Sequence, residues 1–309
     1  MKFSIVILTY NRPNSLANLL THLEEVMVAG VEVIVVDNNS VNVNWSQFKN
    51  KYPLVEFIHL GENVGVGGRN EGIRRAQGQY VITLDDDIVG INLIDLNVIE
   101  QHFNDISELG ALCFKVLDQK NKSIVNWIHH CKPEIYAEKV FQTYEITEGA
   151  VVFKKSALKK AGLYPEEFFI SHEGTDLAFR LMDAGYSVYY SPDIIVEHEH
   201  ALAGRPSWRR YYYDTRNSIW LAIRNYDLEL IIKRLPIALI SMLIYSIRDG
   251  YFKFWVKGVY DALKAFGEAN KNRTRMKACV KKEIKCIDKM RPSTFYMIKK
   301  RLFTRKVRI

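Results

Sequence analysis

Phe3-Ser-Ile-Val-Ile-Leu-Thr9, followed at once by Tyr10-Asn-Arg-Pro-Asn-Ser15, decides the fold. The first stretch is short, apolar and rich in β-branched residues, as a buried strand requires. The second is a turn. Leu16, Leu19, Leu20, Leu23, Val26 and Met27 then recur at helical spacing, and Gly30 closes the helix. Residues 31–36 repeat the strand pattern and end on Asp37-Asn-Asn-Ser40, and residues 55–59 form a third such run. A glycine-rich turn at 61–68 opens a helix through Ala76. Residues 80–84 make a fourth strand, ending on Asp85-Asp86-Asp87. Strand, helix and strand joined by short loops predict an α/β fold with a parallel sheet covered by helices. Ligands of such sheets bind beyond the carboxyl ends of the strands. The polar clusters at 9–12, 37–40 and 85–87 all fall there.

Further along, 149–153 reads as a strand, 156–161 as a helix, 175–184 as a helix stopped by Gly185, and 186–190 and 194–198 as two short strands. Residues 235–247 are apolar apart from small polar residues, and 251–266 mix aromatics with lysines. The apolar run falls short of a bilayer span and reads as a buried helix or one lying on a membrane. Charge divides the chain. Residues 1–200 carry 17 Lys+Arg against 27 Asp+Glu, and residues 201–309 carry 26 against 8. An acidic body suits a divalent cation, and a basic tail suits an anionic surface. The four cysteines form no CxxC pair and read as reduced thiols. The N-terminus lacks the longer apolar core of an export signal. A composition 48% hydrophobic and 25% charged excludes disordered and polytopic membrane classes.

Several constellations can carry chemistry. Adjacent Asp85, Asp86 and Asp87 repel one another and call for compensation, and their hard oxygens suit Mg²⁺ or Mn²⁺. Alone, they read more readily as a solvated acidic turn. Gly61 to Asn70 lets backbone approach a phosphate or ribose, yet matches neither GxGxxG nor the P-loop. His172-Glu-Gly-Thr-Asp176 precedes a helix, with Thr175 expected as its N-cap and Glu173 in the loop as a general base. Alternation puts His198 and His200 on one face, where an imidazole can complete a metal shell. Arg205, Arg209, Arg210 and Arg216 surround three tyrosines and offer either a solvated surface or a clamp on a diphosphate.

Together and in this order, the pieces resemble the family 2 glycosyltransferases of GT-A fold. The resemblance rests on Leu8-Thr-Tyr-Asn-Arg-Pro13, Val36-Asp-Asn-Asn-Ser40, Asn63-Val-Gly-Val-Gly-Gly-Arg-Asn70, Leu84-Asp-Asp-Asp87, Glu173-Gly-Thr-Asp-Leu177 and Val196-Glu-His198, with Arg209 to Asn217 behind them. It covers roughly residues 1–225 and is nearest in style to bacterial transferases that build O-antigen, capsule or other surface polysaccharides.

The resemblance implies a GT-A domain over 1–225, with a nucleotide-binding half at 1–90 and an acceptor half at 91–225. A helical, basic, membrane-associating extension follows at 226–309. It implies that Thr9, Asn11, Arg12 and Asp37 frame the nucleotide, and that Asn63, Gly65, Gly68 and Asn70 shape the wall near ribose and sugar. Asp85, Asp86 and Arg209 would also contact the donor. Asp87, Asp85 and His198 or His200 would hold Mn²⁺ or Mg²⁺, and Gly149 would lie near the acceptor. One departure stands out: Gly174 occupies the place where the family often has the basic aspartate, which moves that role to Glu173 or Asp176. The implied reaction is inverting transfer from a nucleotide sugar (UDP-, dTDP- or GDP-linked) to a lipid-linked glycan at the inner membrane face, without nucleic acid and with a possible homo-oligomer.

Three other readings compete. A nucleotidyltransferase would show a basic glycine-rich loop after the first strand, where Thr9-Tyr-Asn-Arg-Pro13 stands. An inactive nucleotide-sugar-binding module is another, on account of Gly174. A nucleic-acid-binding protein is suggested by the basic tail alone.

Overall fold

A computed structural model describes residues 2–199, 207–273, 276–293 and 295–296. The first half runs β1 (Phe3–Thr9), α1 (Pro13–His22), α2 (Glu24–Val28), β2 (Glu32–Asp37), α3 (Trp45–Lys51), β3 (Val55–His59), α4 (Gly67–Arg75) and β4 (Tyr80–Asp85). The middle comprises β5 (Ile88–Val89), α5 (Leu93–Asp105), β6 (Leu109–Asp118), α6 (Pro133–Tyr136), β7 (Phe141–Thr143), β8 (Ala150–Lys154), α7 (Lys155–Ala161), α8 (Glu173–Asp183) and β9 (Ser187–His198). Five helices follow: α9 (Ser207–Asn225), α10 (Leu228–Arg248), α11 (Phe252–Lys264), α12 (Phe266–Lys271) and α13 (Ala278–Ile287).

One sheet takes the order β3-β2-β1-β4-β8-β6-β9-β5, with β7 also on β9. The ladders β3-β2-β1-β4 are parallel throughout. The β4–β8 and β8–β6 ladders are antiparallel and β6–β9 is parallel, so the sheet as a whole is mixed. Burial on both faces explains the unbroken apolar strands. In β1, Val6 points into one core with Ile34, Val36 and Val81, while Ile5 and Ile7 point into the other with Val33, Val35 and Ile82. Helices α1, α2 and α5 cover the second core, and α4, α7, α8 and α9 cover the first.

Several expectations change in detail. The helix expected up to Gly30 is broken at Leu23 into α1 and α2. The two strands expected around 186–198 are one strand, β9, whose register against β6 shifts between Phe114 and Lys115. That shift accommodates Pro192, which cannot donate to a ladder. The apolar segment read as 235–247 belongs to a longer helix, because α10 continues N-terminally through Lys233 and Arg234. At 21 residues, with a mean hydropathy of 1.8 over its apolar window, α10 is long and apolar enough to cross a membrane by length and composition.

Candidate active site

The parallel ladders bring the expected polar clusters together. Thr9 is in register with Asp37, and Leu8 with Asp85, so the ends of β1, β2 and β4 lie side by side. Thr9 Oγ1 donates to Asp86 Oδ2 at 2.7 Å. Arg12 donates to Asp86 Oδ1 at 3.2 Å and forms an ion pair with Asp87 Oδ2. Asp86 and Asp87 are each 4% exposed. Burial pushes the Asp86 carboxyl up to about 7, against the opposing pull of Arg12. Burial would raise Asp87 too, but His198 and Arg12 outweigh it and hold Asp87 below its usual range. His198 Nε2 stands 3.3 Å from Asp87 Oδ2, while Asn126 meets Nδ1 of the same ring at 3.2 Å and orients it.

Of the four expected metal ligands, Asp87 and His198 meet. Asp85 is ion-paired with Arg69, and His200 lies outside the described residues. Among the described residues, no group of three His, Cys, Asp or Glu side chains forms a metal cage. Asp87 Oδ1, however, is buried with no hydrogen-bond partner. A buried carboxylate oxygen left over beside an imidazole is a donor set that fits Mg²⁺ or Mn²⁺ bound partly through substrate phosphates.

The residues expected to frame the nucleotide stitch loops together. Asn11 adopts a left-handed backbone (φ 56°). Its N–H donates to Ser40 Oγ at 2.7 Å, and its side chain accepts from Val41 N at 2.8 Å. Asp37 accepts from Ser40 N at 2.9 Å and faces His59 Nδ1 at 3.4 Å. Asn63 accepts from Gly65 N at 3.0 Å. Gly65 has φ 62°, and a Cβ there would collide with the Phe169 carbonyl, so only glycine serves. Gly68 lets α4 close on Leu8. Asn70 is instead committed to the 163–166 loop, donating to Tyr164 O at 2.9 Å and accepting from Tyr164 N at 3.0 Å.

The side expected to face an acceptor departs more from the sequence reading. Glu173 is the first residue of α8 rather than part of the preceding loop, and it is 4% exposed. The N-cap is His172, at φ 66° and without a side-chain cap; Thr175, expected in that role, donates instead to Glu145 Oε2 at 2.7 Å. Asp176 is fully buried and accepts from Arg180 Nε, Arg224 Nε and Asn225 Nδ2, each at 2.8 Å. Those two guanidiniums outweigh the burial that would raise its carboxyl, and hold it low. Arg216, grouped with a diphosphate clamp, is 9% exposed and donates to the Glu167 and Phe168 carbonyls at 3.0 and 2.8 Å. Asn217 beside it donates to the carbonyls of Phe168, Ile170 and Ser171. The pair clasps a loop in which Phe169, Ser171 and His172 all have positive φ. Arg209 lies with its guanidinium over the Trp208 ring. Among the described residues, no hydrogen bond or ion pair joins it to the aspartates.

Three side chains that the sequence left without a role converge here. Arg69, 6% exposed, pairs with Asp85 and feels the charges of Glu148 and Glu173. Glu148 accepts from Gly174 N at 3.0 Å, and burial together with Glu173 pushes its carboxyl up to about 8. Asn126 is the third. The available signals were an arginine inside a glycine turn and an acid directly before Gly149. A hollow of about 430 Å³ lined by Arg74, Glu166 and Arg180 lies away from the aspartates, so chemistry rather than concavity marks the site.

A sheet of this order with an acidic trio at its carboxyl edge has the GT-A architecture of glycosyltransferases. A sequence profile described as Glycosyl transferase family 2 matches residues 4–160, just over half of the chain, and the protein belongs to that family. It is 26% identical to a dTDP-rhamnosyl transferase of Shigella flexneri, RfbF, over 84% of this chain and 93% of that one. It is 25% identical to the pre-mycofactocin glycosyltransferase of Mycobacterium tuberculosis over 80% of its own length, and spans about half (53%) of that relative. Among solved structures it is similar to S. aureus TarS 1-349 in complex with UDP-GlcNAc (TM-score 0.60, 18% identity, 88% of this chain and 84% of that one). It is also similar to the mannosyltransferase PcManGT of Pyrobaculum calidifontis in complex with GDP-Man and Mn²⁺ (TM-score 0.56, 17% identity, 88% and 83%). At these identities the structural likeness establishes the fold.

Proposed function

We propose that the protein transfers a hexose-type sugar, with inversion, from a nucleoside diphosphate sugar to a hydroxyl of a lipid-linked glycan during surface-polysaccharide synthesis. The observation that carries this reading is the meeting of Thr9, Arg12, Asp37, Asp85–Asp87 and His198 at one sheet edge, with the acids Glu148 and Glu173 across Arg69. Thr9, Asn11, Arg12 and Asp37 and the loop of Asn63, Gly65 and Gly68 are the proposed nucleotide frame. Asp87 and His198, with Asp85 nearby, would hold Mn²⁺ or Mg²⁺, which stabilises negative charge on a departing diphosphate. Arg12 keeps the aspartates paired and in place. The base belongs to the acid pair Glu148 and Glu173. Asp176, with its four hydrogen bonds, ties α8 to α9 in this reading.

The relatives' names support a dTDP-linked deoxyhexose as the first donor to try. Residues beyond 225 are proposed to rest on the inner face of a membrane, through the outward stripe Ile237, Ile240, Ile244 and Ile247 and the lysines of α11. The test is nucleoside diphosphate release from dTDP-rhamnose, UDP-GlcNAc and GDP-mannose with Mn²⁺. Turnover of one donor is the expected result. Tight donor binding without turnover would indicate a binding module instead.

A further inference from the structure

We infer that Glu148 is the carboxylate that takes the proton from the acceptor hydroxyl, and that it works in the space Gly174 leaves open. The inference rests on the transferase reading above and deepens it. A side chain at position 174 would start α8 by pointing into the cleft. The space it would fill is taken: a Cβ on Gly174 would collide with Glu148 Oε1 and with the Ile146 carbonyl oxygen. The Gly174 N–H donates to the same oxygen at 3.0 Å, which aims the carboxyl from the start of α8. Its backbone is anchored too, because Thr83 Oγ1, on the central strand β4, donates to the Glu148 carbonyl at 2.8 Å.

The other acids near the cleft are committed. Asp85 pairs with Arg69, Asp86 with Thr9 and Arg12, Asp87 with Arg12 and His198, and Glu145 with His130 and Thr175. Asp176 is held by two arginines and Asn225. Glu173 is nearly closed off from solvent, whereas Glu148 is partly exposed and so can be reached by an incoming hydroxyl. Gly149, the next residue, is packed so closely on the Asp85 carboxyl that a Cβ would not fit. Glu148 therefore stands in the same cleft as the diphosphate-facing aspartates. Glu173, a second carboxylate beside it, raises the proton affinity of Glu148, so the ionised form that accepts the proton is populated as pH rises towards about 8; Glu173 is a positioning residue.

The step balances. The hydroxyl proton passes to the Glu148 carboxylate as the acceptor oxygen bonds to the anomeric carbon. The bond from that carbon to the diphosphate oxygen breaks, and its electron pair leaves with the nucleoside diphosphate.

The experiment measures nucleoside diphosphate release by the full chain from dTDP-rhamnose, UDP-GlcNAc and GDP-mannose with Mn²⁺, water serving as acceptor, alongside calorimetric binding of dTDP, UDP and GDP. Glu148→Gln should lower kcat by about 10²–10⁴-fold while nucleotide affinity stays within about twofold. Glu148→Asp, which keeps a carboxylate at this place, should retain at least about tenfold more activity than Glu148→Ala. Glu148→Gln with wild-type kcat, or a folded Glu148→Asp no better than Glu148→Ala, overturns the assignment while leaving the transferase reading intact. If Glu148→Gln does not fold, the comparison of Glu148→Asp with Glu148→Ala decides alone. A wild-type chain that binds these nucleotides and turns over no donor overturns the transferase reading and the assignment together.

Discussion

Asp87 has one oxygen shared between Arg12 and His198 and the other buried with no hydrogen-bond partner. An uncompensated buried oxygen costs stability unless something else meets it, and a cation with its phosphates would. Asp87→Ala should therefore lower transfer by about 10²–10³-fold or more with the fold intact, and EDTA should do the same to the wild type, reversibly with Mn²⁺. Retention of full activity in EDTA would refute this. A second residue-scale prediction concerns acid. His129 sits among Trp127, Phe141 and Tyr190, and burial pushes its imidazole down to about 3. The unfolded chain binds that proton near 6.5, so stability falls as pH drops from about 6.5 towards 3. Burial would raise Glu145, yet His130 and Thr175 hold it at about 2, so its contribution is present above about 4.5 and lost on the way to 2. Urea midpoints at pH 7, 5 and 3 should decline, and His129→Phe should flatten the upper part of that decline and Glu145→Gln the lower. At this scale the aspartates, His198 and Asp37 were legible because each ends a recognisable strand. Glu148 was not, since its meaning depends on a missing side chain 26 residues later.

At the scale of elements, the middle of α9 holds the loop before α8. Asn217 donates to three carbonyls of that loop at 2.8–3.0 Å, sharing the Phe168 carbonyl with Arg216. Asn217→Ala should cost about 2–4 kcal/mol of stability, and because the loop leads into Gly174 and Glu173, residual folded enzyme should show reduced kcat. An unchanged melting temperature would contradict it. Sequence reading found β1, β2, β3 and β4 because buried parallel strands leave long apolar runs. Strands β5 and β7, of two and three residues, are too short to leave a pattern. Pro192 disguised β9 as two strands. The clasp of Arg216 and Asn217 was invisible because arginine beside tyrosine reads the same on a surface as in a core.

For the whole molecule, charge and apolar surface coincide. Helices α10 and α11 expose Ile240, Ile244, Ile247, Phe252, Val256, Tyr260 and Leu263, and the residues from 201 onward carry the basic excess. Each basic residue near an anionic leaflet contributes about 1 kcal/mol. The full chain should sediment with anionic vesicles at low salt and release as salt rises. Ile240→Glu combined with Ile244→Glu should reduce sedimentation without altering nucleotide binding. Indifference of the wild type to vesicles would favour burial of this face between copies of the chain. Composition and length alone pointed to that surface, whereas the helix lengths that display it needed the structure.

Helix α9 meets the loop through Arg216 and Asn217 and α8 through Arg224, Asn225 and Asp176. On its other side Tyr212 bonds Asp261 at 2.7 Å and Trp220 bonds the Ala262 carbonyl at 3.2 Å, both in α11. A chimera that borrows the loop before α8 for a different scaffold would leave its supports behind unless it takes residues 207–264 along, so this part of the protein is portable only as a block.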